Sequence, residues 1–200
     1  HLFFDTETTG LPLDWRLHPR FFKTYPRIVT LSWRFYEDHK LIDQTTYVIQ
    51  PEDYVIPLEA TKIHGYTTER AKKEGVVLDL ALDHFFTYVK KADKIIAHNA
   101  SFDLSVIQAE CYRRKINCPL QNVVCTMKST IELCRIASPR GYKYPKLVEL
   151  YGFLLGKQPT QTHQSDQDTE LVCECFFLLE KRYPELDWVV ITNPEYPTST

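Results

Sequence analysis

"FFDTETTG" (residues 3–10) poses the problem that the rest of the chain has to solve. Phe3 and Phe4 close an apolar run, "HLFF", of the kind buried in the middle of a sheet. Asp5 and Glu7 follow at once. Side chains on a strand repeat every second residue, so the two acids point to the same face. Two carboxylates side by side at the end of a buried strand repel each other and resist leaving water. Something positive must share them.

They are not alone. Asp103 sits in "HNASFD", just after a short apolar strand, "KIIAHNA" (94–100). Asp168 sits in "HQSDQDTELV", at the start of a helix predicted over 166–182. It falls on that helix's apolar stripe, with 171/172, 175 and 179, whereas Asp166 does not. Each acid has an ordinary explanation when taken singly. Asp103 is a first-turn acid favoured by the helix dipole, Asp168 closes a capping box, and Asp5 caps a turn. Taken together, four acids at the ends of apolar elements read as one converging set. Such a set requires divalent cations, and all-oxygen donors suit Mg²⁺ or Mn²⁺ rather than zinc.

Composition bounds the rest. Two hundred residues make one ordinary domain with a sizeable core, and 44% apolar with 25% charged residues is a soluble, globular profile. No apolar run nears the ~20 residues that cross a bilayer, and no signal peptide is visible. An intracellular, cytoplasmic setting (nuclear or organellar in a eukaryote) without a membrane partner is therefore expected. The chain begins at His1 with a strand immediately behind it, which reads as a few residues lost or cleaved ahead. A net charge of −2 argues against gripping long nucleic acid by bulk charge. It does not argue against an enzyme that holds one chain end through metal ions. Six cysteines form no CxxC pair and no zinc spacing, and read as reduced, mostly buried thiols. Cys173 and Cys175 stand two apart on a helix, so they face different ways.

Periodicity predicts the elements around these acids. Strands over 27–36 and 41–51 form a hairpin about a polar turn from Glu37 to Lys40. Two helices follow, closed by Gly65 and Gly75, then an amphipathic helix over 78–91. A helix from 101 to 115 is N-capped by Ser101, and "VVCT" is one more short strand. A helix spans Met127 to Cys134, and another lies in "YPKLVELYGFLLG" ahead of the last one. Residues 1–183 read as one α/β domain with a mixed sheet, and 184–200 as a proline-rich tail or linker.

Three segments, "FFDTETTGLP" (3–12), "AHNASFDLSVI" (97–107) and "HQSDQDTELV" (163–172), resemble the exonuclease motifs of the DnaQ-like, DEDDh 3′→5′ exonucleases. "IHGYTTERA" (63–71), "CTMKST" (125–130) and "YPKLVELYG" (144–152) resemble that family's connecting segments, so the likeness covers about residues 1 to 182. It implies a ribonuclease H-like fold, a five-stranded mixed β-sheet flanked by helices. It also implies stepwise hydrolysis of the terminal phosphodiester, releasing nucleoside 5′-monophosphates from a 3′ end. By the same resemblance, Asp5, Glu7 and Asp168 hold the first of two Mg²⁺ or Mn²⁺ ions. Asp5 holds the second with water and substrate oxygens, Asp103 supports that side through water, and His163 is the general base. Two metals of this kind generate hydroxide and stabilise the leaving oxygen. A histidine titrates in the right range for the proton transfer, and the polar stretch ahead of His163 reads as a loop that brings it in.

Thr8 and Thr9 are candidates to offer backbone amides to the 3′ terminus. His98 and Asn99 either hydrogen-bond substrate or satisfy local turn groups, and Phe102 is either core or a base-stacking wedge. "RLHPRFFKTYPR" (16–27) and "PRGYKYPK" (139–146) interleave basic and aromatic residues. That pattern suits either a single-strand track or a solvated loop whose rings pack down on the sheet. The expected substrate is single-stranded or frayed DNA, in proofreading or repair, because "FFDTETTG" looks like the proofreading branch. An exoribonuclease on the same scaffold is the alternative, since no motif reports contacts to the 2′-OH. A degenerate interaction module of a larger polymerase or nuclease is a third reading, and the filled set of five expected positions counts against it. A polymerase or other replication or repair partner fits any of these.

Overall fold

The computed structural model describes residues 1–157, 159 and 164–192. Its elements in chain order are β1 (Leu2–Thr8), β2 (Ile28–Glu37), β3 (Lys40–Val48), α1 (Leu58–His64), α2 (Thr68–Glu74), α3 (Leu78–Val89), β4 (Ile95–Ala97) and α4 (Ala100–Arg114). They continue with β5 (Val123–Cys125), α5 (Thr126–Ser129), α6 (Ile131–Cys134), β6 (Ala137–Ser138), β7 (Gly141–Tyr142), α7 (Leu147–Leu155), α8 (Ser165–Arg182) and β8 (Val190–Ile191). The main sheet runs β3-β2-β1-β4-β5-β8. β1, β4 and β5 are parallel, while β2, β3 and β8 pair antiparallel with their neighbours.

β1 is central and buried on both faces, and its alternation sorts the two layers. Leu2 and Phe4 pack with Leu82 and Phe85 of α3 and Leu104 and Ile107 of α4. Phe3 faces the other way, against Val172, Cys173 and Phe176 of α8. Asp5 and Glu7 share Phe3's parity and so face α8, whereas Thr6 faces α4. Cys173 and Cys175 separate as their spacing predicts, into the clusters around Phe3 and Leu150 respectively. The hairpin turn is as expected, with Asp38 at φ 46° and His39 at φ 61°, the mirror-image turn that matches strand twist. Among the described residues no helix is long and apolar enough to cross a membrane.

Several expectations are corrected. The sheet has a sixth strand, because the segment read as the start of a tail folds back onto β5. The Cys125 amide donates to the Val189 carbonyl at 2.9 Å, and Trp188 lies 4.8 Å from the Phe176 ring. Two residues are too short a strand for any period to show. The helix read over 127–134 is two short ones. Ser129 and Thr130 hydroxyls donate to the carbonyls of Cys125 and Thr126, both at 2.8 Å, and compete with the helical ladder there. α4 starts at Ala100, with Asn99 in the left-handed region at φ 65° rather than Ser101 as its cap. Gly65 ends α1 at φ 81°, but Gly75 ends α2 in extended backbone. Its reason is space, since a Cβ there would lie 2.3 Å from the Ala71 carbonyl oxygen.

The basic and aromatic loop of 16–27 is tied down from beneath. The Arg113 guanidinium donates to the carbonyls of Phe22, Tyr25 and Pro26. Glu110, fully buried, meets Arg27 at 2.9 Å, Arg113 at 3.1 Å and Arg114 at 3.3 Å. Arg27 also pairs with Asp53 at 2.7 Å and lies over the Tyr54 ring, so it is structural rather than free for a strand. Arg27 and Arg114 have further carboxylate partners at the surface, but Glu110 is the one acid shared by all three guanidinium groups, and removing it leaves buried positive charge at Arg113 uncompensated. Glu110→Ala is expected to cost about 3–5 kcal/mol, read as a lower urea midpoint with an unchanged slope.

Candidate metal centre and nucleic-acid interface

The face that β1 turns toward α8 is where the acids meet. Oxygens of Asp5, Glu7 and Asp168 lie within 4.8 Å of one another, the only such set of three ligand residues among the described residues. β1 contributes two because its period is two. α8 contributes the third because Asp168 lies on the stripe that faces the sheet, one turn ahead of Val172. A bulge between Glu7 and Thr8 bends the strand at this point.

Burial is the largest influence on Asp5, followed by Asp103, Glu7 and Asp168, and together they push its carboxyl well above the ordinary range. Burial and then Asp168 and Asp103 push Glu7 up to about 8. Without a cation, burial and mutual repulsion favour the protonated forms of both groups. A divalent ion would replace the protons and relieve the repulsion. An all-carboxylate set is the donor chemistry of Mg²⁺ or Mn²⁺, so the residues present fit such an ion.

Asp103 stands beside this set rather than in it. Its Oδ1 accepts the Thr6 amide at 3.0 Å and the Thr6 hydroxyl at 2.7 Å. β4 pairs with β1 only at Leu2 and Phe3, and the carboxylate fills the ladder position beyond. Burial raises Asp103 to about 7, against the lowering effect of the Thr6 bonds.

The other predicted residues divide. His163 lies outside the described residues. Thr9 has its amide engaged within the protein, donating to the Arg27 carbonyl at 2.9 Å. Its hydroxyl in turn accepts the Arg27 amide at 2.9 Å. The Thr8 hydroxyl donates to Gly10 at 2.7 Å. Both nitrogens of His98 have protein partners. Nε2 donates to the Pro145 carbonyl at 3.0 Å, so Nδ1 accepts from the Thr126 hydroxyl at 2.9 Å. Burial holds this imidazole down at about 4, neutral at physiological pH. Both partners lie far off in the chain, so His98 ties the end of β4 to α5 and to the segment ahead of α7 rather than satisfying local turn groups.

A cavity of about 360 Å³ opens beside Glu7, lined by Thr8, Leu11, Ile63, His64 and Phe102 among others. Phe102 is therefore a wall of this cavity as well as core. Trp15 packs against its outer side, ring centroids 5.7 Å apart, while remaining 55% exposed. His64 is a residue that the sequence reading passed over as part of a connecting segment. It is buried, its Nδ1 accepts the Tyr66 amide at 3.1 Å, and its Nε2 has no hydrogen-bond partner among the described residues. The Thr8 backbone lies nearby, outside hydrogen-bond geometry. A histidine one residue ahead of a helix-ending glycine was the available signal.

Comparison with known proteins follows the same residues. The RNase_T exonuclease family model matches residues 2–176. The PolC-type DNA polymerase III of Caldanaerobacter subterraneus subsp. tengcongensis is 25% identical over 92% of this chain and 12% of its own length. The DNA polymerase III epsilon subunit of Salmonella typhimurium is 28% identical over 52% of this chain and 47% of its own. The chain thus spans less than half the length of either. Among solved structures, Escherichia coli exonuclease I in complex with a dA16 oligonucleotide superposes with a TM-score of 0.71 at 17% identity, over 92% of this chain and 41% of that one. Exonuclease X with 5′-overhanging duplex DNA gives 0.57 at 22% identity, over 90% and 92%.

The raised carboxyls make one measurement decisive for the cation fit. Glu7 binds its proton more tightly folded than unfolded, so it stabilises the fold fully below about pH 4.5 and progressively less up to about pH 8. In EDTA the melting temperature is expected to fall between pH 5 and 8. Mn²⁺ should restore it, most at the upper end, and Glu7→Gln should flatten the slope in calorimetry. At this size each kcal/mol corresponds to about 2–4 °C. A sheet of ribonuclease H-like arrangement, the converging carboxylates and a family match over most of the sequence agree: this chain belongs to the RNase_T exonuclease family.

Proposed function

We propose that this domain is a metal-dependent 3′→5′ exonuclease that removes nucleoside 5′-monophosphates from single-stranded or frayed DNA ends. The observation that carries the reading is the juxtaposition of three carboxylates within 4.8 Å with a cavity of nucleoside size whose wall includes Glu7. Asp5, Glu7 and Asp168 would hold a divalent ion, with Asp5 shared by a second. Bound there, such ions supply an activated water and stabilise the departing oxygen.

The chain's own groups do the rest. Phe102, Ile63 and Leu11 give the terminal nucleoside apolar walls and exclude water. With Nδ1 accepting the Tyr66 amide, neutral His64 carries its proton on Nε2, buried beside the Thr8 backbone, and so backs the cavity wall rather than opening onto it. Asp103 holds β1 straight at Thr6 and keeps Asp5 beside its neighbours. His163 accepts the proton of the attacking water. Trp15, exposed on one side and backed by Phe102 on the other, is placed to stack on an unpaired base. Arg20 and Lys23 near Phe21 and the exposed Tyr142 and Tyr144 offer charge and ring to the strand beyond. The polymerase relatives support work beside a DNA polymerase, in proofreading or repair.

The test is a gel assay with 5′-labelled DNA and RNA single strands of matched sequence, in Mg²⁺, Mn²⁺ and EDTA. A one-nucleotide ladder shortening from the 3′ end is expected, faster on DNA and absent in EDTA and in Asp5→Ala. Faster RNA cleavage would instead make it an exoribonuclease. No ladder from folded protein would favour an interaction module. His163→Ala is expected to lose about 10²–10⁴-fold in turnover. Trp15→Ala should weaken single-strand binding about 5-fold or more, seen in KM rather than kcat.

A further inference from the structure

Directly across from the two acids of β1 stand two hydroxyls of β2. Asp5 pairs with Ser32 and Glu7 with Thr30. Opposed residues of an antiparallel pair share a face, so these hydroxyls also look toward α8. There they meet Ser165, the first residue of that helix and only 2% exposed. Ser165 Oγ lies 2.7 Å from Thr30 Oγ1 and 2.6 Å from Ser32 Oγ. Ser32 continues to Thr46 Oγ1 on β3 at 2.9 Å, and the Thr169 hydroxyl donates to the Ser165 carbonyl at 2.5 Å. Thr30, Ser32 and Thr169 are all buried. A polar seam therefore crosses a helix–sheet interface that is apolar at Phe3, Val172 and Phe176.

Stability alone is a weak reason for this seam. A buried hydrogen bond contributes little net stability, and leaving one partner unpaired costs more than the bond gains. Aliphatic side chains would hold the helix at least as well. Aliphatic contact, however, is non-directional, while hydroxyl bonds of 2.6–2.7 Å fix the axial and rotational setting of α8. The helix needs that setting, because its cap residue Gln164 makes no side-chain capping bond. The first turn after Ser165 carries Asp168. The arrangement is self-consistent: Thr30 can donate to Ser165, Ser165 to Ser32, and Ser32 to Thr46 at the exposed rim, so every proton is used.

We propose that Ser165, clamped by Thr30 and Ser32, is a positioning residue that sets the distance of the Asp168 carboxylate from Asp5 and Glu7, and thereby the cation affinity of the site. This rests on the metal-site reading above. The clamp touches no ion. It acts through one turn of helix, and it couples the strand facing the ligands to the helix that completes them. Groups in the shell around a metal site typically influence affinity 10–100-fold.

The experiment is calorimetric titration of Mn²⁺ into the full chain at 25 °C, paired with melting in EDTA. Ser165→Ala and Thr30→Val, the latter isosteric but without a hydroxyl, are expected to weaken Mn²⁺ binding about 10-fold. Thr30→Ser, which keeps the hydroxyl, should bind like wild type. Val172→Ala supplies the control, since it loosens the same helix by an apolar deletion away from the seam. It should lower the melting temperature and leave Mn²⁺ affinity within about 2-fold. Wild-type affinity in Ser165→Ala, or equal weakening in Val172→Ala, would overturn the clamp and leave the metal site standing. Failure of folded wild-type protein to bind Mn²⁺ would overturn the metal site and the clamp together.

Discussion

Mutual repulsion between carboxylates governs this structure. Asp5 and Glu7 sit at the end of the most buried strand, with Asp168 meeting them from the helix above and Asp103 close by. At Asp5 and Glu7 desolvation and like charge act in the same direction, and both drive these two carboxyls toward their protonated forms. Well-packed apolar residues at these positions would make a more stable sheet. The fold instead keeps a local instability in one place and surrounds it with rigid material, so that the acids cannot relax apart. β1 is held on both edges and both faces, which is why it carries two of them.

The two layers divide the task. The α8 layer supplies the third carboxylate of the converging set and, one turn ahead of it, the hydroxyl seam at Ser165. The α4 layer supplies Asp103, which takes the place of a missing strand neighbour and accepts the Thr6 amide. From the same layer Phe102 forms the inner wall of the cavity, and Glu110 with Arg113 anchors the loop that carries Trp15 at its outer edge. The three converging carboxylates sit on the α8 side of β1, and Asp103 and the Phe102 wall on the other. Their meeting at the strand's end puts the converging carboxylates next to an apolar niche.

Much of this was legible in the residues. Period-two alternation placed Asp5 and Glu7 on one face, and helical period placed Asp168 on the buried side of α8 while leaving Asp166 exposed. Those patterns are strong because each places an acid where an apolar residue belongs. What escaped the reading is what has no period. β8 is two residues long. The break at Thr130 depends on side-chain hydroxyls choosing backbone carbonyls. His64 became a cavity wall only once α1 packed beside β1. Thr30 and Ser32 read as ordinary strand residues, since β-branched and small polar side chains are common in strands. Their role depends on Ser165, more than 130 residues away in the chain.

The strand directions also have a consequence for how the domain can be joined to other things. β1, β4 and β5 all end at the same rim, so the acids, the turn at Asn99 and the start of α5 gather there. β2 returns to the opposite rim, where the Tyr36 and His1 backbones exchange hydrogen bonds at 2.8 Å beside the left-handed Asp38–His39 turn. That turn is exposed, short and a full strand length from the acids. It is the natural splice point: a fluorophore, affinity handle or folded insert placed between Asp38 and His39 occupies the rim of the sheet opposite the carboxylates.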